Sequence, residues 1–376
     1  MGKDGALSEP TLSPPIRAMP HLFEPLALNS VTLPNRIVIS PMCQYSAIDG
    51  LATDWHFVHL GRYAAAAVGL IIAEATHVSA IGRITPGCLG LYNDAHEEAL
   101  TRIVRFMKET GPAATGIQLA HAGRKGSMSA PWKGVKPADE AEGWISVGPS
   151  AVAFDEGWQI PKALDEAGMD RIVREFATAA TRATRAGFDV CEVHSAHGYL
   201  MHEFLSPISN KRNDECGGSR ENRMRFPLRI VDAVRAVWPK DRALLVRLSA
   251  TDYMGEEGWT LADSIAYAKE LKARGVDMID VSGGGSSPKQ SPELKPGYQV
   301  PFAEAIRKEA GIPTIAVGLI TRPEQADAII REGKADAIAI ARALLNDPFW
   351  AWRAADALGH EVAVPNQYLR GRKLAV

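Results

Sequence analysis

Two imidazoles and a phenol fall within six positions of one another in the stretch Val190-Cys191-Glu192-Val193-His194-Ser195-Ala196-His197-Gly198-Tyr199-Leu200. The apolar run before His194 reads as a strand that ends there. Neutral imidazoles donate hydrogen bonds, and a tyrosine hydroxyl can pass on a proton. At one strand end, such groups can grip a polar atom of a substrate and protonate a neighbouring one. A lone histidine is more often a satisfied structural residue. This cluster, followed by the polar run Ser209-Asn210-Lys211-Arg212-Asn213-Asp214, has the pattern of a barrel enzyme's active site.

Other chemistry-bearing residues stand at strand ends too. Ser40-Pro41-Met42-Cys43-Gln44-Tyr45 follows the first apolar run and puts a thiol and a phenol in a structured turn. A lone cysteine is by default a small buried apolar group. Gln118 and Arg247 occupy later strand ends. Inward polar groups are costly unless paired. A heteroaromatic ring offering carbonyl and nitrogen acceptors would satisfy both, and an internal ion pair would serve Arg247 equally. Gly318 lets a backbone approach a ligand closely, and Arg342 follows the last strand. Backbone N–H groups and an arginine there form the usual barrel phosphate site. Ser282-Gly283-Gly284-Gly285 adds a flexible rim. Together these groups specify a phosphate at one end of a site and a polar ring at the other, which describes flavin mononucleotide.

The elements that must position these residues alternate in type. Short apolar strands are expected at Arg36–Ser40, Gly69–Ala73, Ala114–Leu119, Val190–His194, Ala243–Ser249, Met278–Ser282, Thr314–Val317 and Ala337–Ile340. Between them, helical patterns cover Ala95–Thr110, Met169–Ala186, Glu221–Trp238, Leu261–Arg274, Pro323–Glu332 and Pro348–Leu358. Glycines 111, 187, 275, 333 and 359 close several of these. Eight strands in this alternation give a single-domain α/β protein, a (β/α)8 TIM barrel. An open doubly wound sheet would want a Gly-x-Gly-x-x-Gly turn after the first strand, and none follows. A long insertion, about 122–167, follows the third strand and carries Trp132, Trp144 and Trp158; such loops are often lids or rims.

Composition narrows the partners. With 376 residues, 46% of them hydrophobic, the chain can bury a barrel-sized core. A formal net charge of -2 gives no basic field, so nucleic acid is not an expected partner. No apolar run has the length of a membrane span. The four cysteines are scattered without metal-ligand spacing, which fits a reduced cytoplasm and no metal. Residues 1–20 are proline-rich and read as a disordered leader or a remnant, 21–371 as the barrel, and 372–376 as a tail.

The chain resembles the old yellow enzyme family of FMN-dependent ene-reductases, in its thermophilic-like branch. The resemblance spans about Leu22 to Gly371. It rests on Ser40–Tyr45, on Gln118-Leu119-Ala120-His121-Ala122-Gly123-Arg124, on His194–Leu200, and on Ser209–Arg212 through Gly217–Arg223. It implies a barrel binding FMN non-covalently, with NADPH or NADH as reductant and ping-pong kinetics. It implies that Ser40, Pro41, Met42 and Cys43 lie along the isoalloxazine, with the thiol tuning its potential. Ala75 and Gln118 would address the pyrimidine edge, and Arg247 the N1–O2 edge. Ser282, Gly283, Val317, Gly318, Ala341 and Arg342 would complete the cofactor site. His194 and His197 would polarise the carbonyl of an activated alkene (an enone, enal or maleimide). Hydride would pass from flavin N5 to the β-carbon, and Tyr199 would protonate the α-carbon. Tyr45 would line the pocket. The segment 361–371 would reach a neighbouring subunit of a homodimer or homotetramer, with Arg370 touching substrate in trans. Two positions depart from the family pattern: Cys216 replaces a tyrosine, and Ala341 replaces a glycine before the phosphate arginine.

Other readings fare less well. An iron–sulfur flavin reductase would need a close cysteine cluster, and a tRNA-modifying barrel a basic surface. A metal site from Glu192, His194 and His197 fails on strand parity, since His197 lies past the strand end. A flavin barrel acting on nitro compounds or other xenobiotics, and a non-catalytic scaffold, are the remaining alternatives.

Overall fold

The computed structural model describes residues 20–372. The leader read in residues 1–20 and the tail read in 372–376 therefore lie almost wholly outside the described residues. Eight parallel strands close into a barrel: β1 Ile37–Ile39, β2 Leu70–His77, β3 Ala114–Ala120, β4 Val190–Ser195, β5 Ala243–Ser249, β6 Met278–Ser282, β7 Thr314–Ala316 and β8 Ala337–Ile340. Each pairs with the next in chain order, and β8 pairs back onto β1. The expected (β/α)8 architecture is what forms.

The period-two geometry of a strand explains why these runs look uniformly apolar. One parity, including Ile39, Ile71, Ile117, Val193, Val246, Val281 and Ile340, packs outward against the helices. The other, including Val38, Leu70, Ile72, Ala114, Val190, Leu245, Met278 and Ile315, fills the barrel. An antiparallel hairpin, Leu26–Leu28 with Val31–Leu33, plugs the floor through Leu28 and Leu33. Climbing by two along the inward parity leads from this apolar layer to Ser40, Gln118, Glu192, Arg247 and Asp280. The next inward step reaches His194, Ser249 and Ser282. A slip of one residue would turn every one of them outward.

Outer helices run Asp54–Ala64 (α1), Asp94–Thr110 (α2), Glu166–Ala186 (α3), Arg220–Val237 (α4), Leu261–Ala273 (α5), Val300–Ala310 (α6), Pro323–Arg331 (α7) and Trp350–Leu358 (α8). Their ends follow capping chemistry. Asn93 accepts from the His96 N–H at 2.9 Å, Asp165 accepts from the Gly168 N–H at 2.8 Å, and α3 closes at Gly187 with φ +93°. Helices α1 and α6 are absent from the sequence expectations. The buried face of α1 carries His56 and His59 among its apolar residues, which breaks the hydrophobic period.

The polar run at 209–214 is a correction to the sequence reading. It braces loops and does not meet the histidine pair. Asn210 Nδ2 donates to Phe204 O at 2.7 Å and to Cys216 O at 2.8 Å. Arg212 Nη1 donates to Pro149 O at 2.9 Å and Leu164 O at 2.6 Å, tying down the long loop after β3. Cys216 sits buried in the outer core.

Candidate active site

The turn leaving β4 is shaped to bring His197 back over His194. His197 holds φ +61° and its N–H donates to Ser249 Oγ at 2.9 Å. Gly198 follows at φ +71°, and a Cβ there would fall 2.0 Å from Gly285 O, so only glycine fits. The two rings meet edge to face at 5.1 Å between centroids, with His197 Nδ1 3.4 Å from His194 Nε2. The far nitrogen of His197, Nε2, lies 2.7 Å from Ser282 Oγ. The Tyr199 ring stands 5.2 Å from His194, again edge to face. Burial, with Arg247 nearby, holds both imidazoles well below their usual pKa, so both are neutral at pH 7. Burial likewise pushes the Tyr199 phenol well above its usual value, and it keeps its proton.

Across this space stand the residues of the turn after β1. Cys43, Tyr45, Trp158 and Tyr199 pack on one buried patch made by Ile84, Cys88, Ala122 and Met128. Tyr45 holds φ +51° and meets Trp132 edge to face at 5.6 Å. A bulge in β2 between Ala73 and Ala75 turns the Ala75 N–H toward the Cys43 sulfur, to which it donates.

Below the histidines lies the polar layer. Gln118 Nε2 donates to Glu192 Oε1 at 2.7 Å, and Arg247 Nη1 donates to Ser40 Oγ at 3.1 Å. Arg247 Nε lies 3.2 Å from Asp280 Oδ2, close as an ion pair but misaligned as a hydrogen bond. The internal partner weighed for Arg247 from sequence is thus Asp280. Two buried carboxylates share one guanidinium. Burial, then the charge of Asp280, pushes Glu192 up to about 8. Glu192 accepts from Gln118, and among the described residues no group of three His, Cys, Asp or Glu side chains is placed to hold a metal ion.

At the ends of β7 and β8, a cavity of about 160 Å³ is lined by Ser40, Arg247, Ser282, Val317, Gly318 and Arg342, among others. Gly318 holds φ +112°, and a Cβ there would sit 3.0 Å from Gln299 N. Ala341 has φ -111°, so its methyl needs no left-handed backbone and the departure from glycine costs no such strain. Of the remaining expected residues, Gly283 adjoins Tyr253 beside this cavity, Pro41 and Met42 follow Ser40 at the rim, and Arg370 is exposed on the short C-terminal helix Leu369–Arg372.

FMN can be tested against these groups. The buried atoms Arg247 Nε, Glu192 Oε2 and His194 Nδ1 have no hydrogen-bond partner among the described residues. A cradle of backbone from Val317 to Thr321 with Arg342 lies beside Arg247 in the same cavity. Phosphate and ring needs are both met, so the residues fit the group.

Sequence reasoning missed Lys125. Its Nζ donates to His197 O at 2.8 Å and Gly285 O at 3.0 Å, and it lies 5.1 Å from the Tyr199 ring centre. Burial brings the ammonium down to about 8. Its place directly after Arg124, in the motif that opens the long loop, was the available signal.

A closed parallel barrel with a polar inner layer and a phosphate-type cradle after its last two strands defines a flavin-binding (β/α)8 oxidoreductase. The chain belongs to the NADH:flavin oxidoreductase / NADH oxidase family, whose FMN-oxidoreductase model matches residues 21–361. It is 49% identical over 352 residues to an NADPH dehydrogenase of Geobacillus sp. (strain WCH70), covering 93% of this chain and 98% of that one. Among solved structures, morphinone reductase superposes with a TM-score of 0.76 at 29% identity, over 92% of both chains. The old yellow enzyme homologue from Zymomonas mobilis gives 0.73 at 27%, over 92% of this chain and 94% of that one. The chain is an NAD(P)H-dependent flavin oxidoreductase that uses FMN. Among the described residues, no helix is long and apolar enough to cross a membrane.

Proposed function

We propose that this enzyme reduces the carbon–carbon double bond of activated alkenes such as enones, enals and maleimides. The observation that carries the reading is the facing pair of neutral imidazoles, His197 Nδ1 and His194 Nε2 at 3.4 Å, with Tyr199 beside them. If Ser282 O–H donates to His197 Nε2, the His197 proton sits on Nδ1 and points into the gap. A carbonyl oxygen resting beside the two nitrogens would accept from both rings. Neutral donors in a dry pocket stabilise the negative charge that grows on this oxygen and place no rival proton on it. FMN, when bound, would supply the hydride, with NADPH or NADH as the reductant.

Tyr199 delivers the proton to the α-carbon; its raised pKa keeps the phenol protonated until that demand arises. Lys125, held on two carbonyls, orients the phenol from below. Ser40, Pro41, Met42 and Cys43 would lie along the ring of FMN, Ala75 and Gln118 would address its pyrimidine edge, and Arg247 its N1–O2 edge. Gly318, Ala341 and Arg342 take the phosphate, flanked by Ser282, Gly283 and Val317. Tyr45 lines the substrate side, and Arg370 reaches the site of a second copy in a homodimer or homotetramer. Residues 21–371 make one functional barrel, and the four free thiols suit a reducing cytoplasm.

The test is an anaerobic visible spectrum. The yellow band bleaches on adding NADPH and returns with 2-cyclohexenone. Bleaching without return would overturn the alkene reading and leave the flavoenzyme standing.

A further inference from the structure

Cys43 and Cys88 come from different loops, one after β1 and one after β2, and the fold presses those loops together. Ala47 N–H donates to Gly87 O at 2.8 Å, and a Cβ on Gly87 would sit 2.5 Å from Tyr45 O. The backbones beside both cysteines are therefore in contact. Cys43 packs against the buried patch that contains Cys88, and Thr85 Oγ1 lies 3.4 Å from the Cys88 sulfur. Cys88 is fully buried, whereas Cys43 is half-buried and packs beside Tyr45 and Tyr199 at the pocket. A small oxidant entering the pocket meets Cys43 first and finds Cys88 behind it.

Adjacent thiols titrate as a pair. Cys88 and burial hold the Cys43 thiol well above its ordinary value, whereas Cys43 and Thr85 together outweigh burial and lower Cys88, so Cys43 is the thiol that keeps its proton. Glu74 also faces both sulfurs and disfavours a second negative charge. The other two cysteines are placed differently. Cys191 points outward from β4 into the helix layer, where burial keeps it protonated, and Cys216 lies in the loop braced by Asn210.

We propose that Cys43 and Cys88 form a reversible disulfide at the rim of the pocket when the protein meets hydrogen peroxide. The Cys43 sulfur attacks the peroxide while its proton is relayed through the Cys88 sulfur to the departing hydroxide; an S–O bond forms, the O–O bond breaks, and one water leaves. The Cys88 sulfur then displaces the hydroxyl of this sulfenic acid, forming the S–S bond and releasing a second water. The two thiols lose two electrons and two protons, and the peroxide is reduced to two waters. The bridge draws the Cys43 sulfur toward Cys88 and away from the pocket. This inference does not rest on the alkene reading.

The experiment treats the full-length FMN-bound protein with hydrogen peroxide, then denatures it and counts free thiols. The count is expected to fall from four to two. Non-reducing peptide mapping should show a Cys43–Cys88 linked peptide that dithiothreitol abolishes. In C88S the bridge cannot close, and a dimedone-reactive sulfenic acid should accumulate on Cys43. The proposal is overturned if all four thiols survive, if Cys43 proceeds to sulfinic acid with no linked peptide, or if the link joins other cysteines. Should C88S fail to fold, the wild-type map decides alone. None of these readouts needs turnover, so the inference and the substrate reading can fail separately.

Discussion

Gln118 Nε2 donates to Glu192 Oε1 across 2.7 Å, between register partners on β3 and β4 deep inside the barrel. This bond fixes which way the Gln118 amide points, and with it the polarity Gln118 would offer to a bound ring. The acceptor is a carboxyl with its own pH dependence.

Glu192 is held up to about 8 from an ordinary value of 4.5, so the folded protein binds its proton more tightly than the unfolded chain does. Stability contributed at this site therefore falls as pH rises from about 4.5 to about 8, and is flat outside that window. Glu192→Gln removes the penalty. The variant should gain stability relative to wild type across that window, by at least about 1 kcal/mol at its upper end. Urea unfolding at pH 5 and pH 8 checks this; a constant difference between the two pH values would contradict it.

His194→Ala leaves a carbonyl oxygen with one donor in place of two. Phenols, which mimic the charged oxygen, should bind more weakly, and alkene reduction should slow roughly 100-fold. Ser282→Ala tests the orientation of the other ring. It should weaken phenol binding by a smaller factor, because His197 keeps its place through Ser249 but loses the bond to Nε2. Titration of the flavin spectrum with a phenol measures both.

Tyr199→Phe keeps the ring packing against His194 and removes the proton source. The alkene half-reaction should slow by roughly 100- to 10,000-fold while flavin reduction by NADPH stays nearly unchanged. Stopped-flow measurement of the two half-reactions separates them, and a parallel fall in both would remove Tyr199 from its role.

Gly318→Ala forces a side chain into φ +112° with its Cβ 3.0 Å from Gln299 N. The strain is roughly 1–3 kcal/mol, falling on the cradle assigned to phosphate. FMN affinity, read by fluorescence on dilution, should drop about tenfold or more. Undiminished affinity would place the phosphate elsewhere.

Truncation after Pro365 removes Tyr368, which packs on Phe349 and Trp352, together with Arg370. If Arg370 acts in trans, the truncated protein should show raised KM. Sedimentation analysis should also find a smaller assembly. Unchanged assembly and turnover would end that assignment.

The sequence by itself determined the barrel, because eight short apolar runs at helix-length spacing have few other ways to bury both faces. It also brought together the cluster proposed to be catalytic, since His194, His197 and Tyr199 are neighbours in the chain and a strand end can place them together. It misled at Ser209–Asp214, where a dense polar run turned out to brace loops. What only the tertiary structure decided are the pairings between strands and loops far apart in sequence. Asp280 answering Arg247, Glu192 orienting Gln118, Lys125 lying beneath Tyr199 and Cys88 meeting Cys43 depend on barrel closure and register. No local pattern encodes which side chain faces another across the interior, because that is fixed only when the sheet closes and every inward position acquires its neighbours.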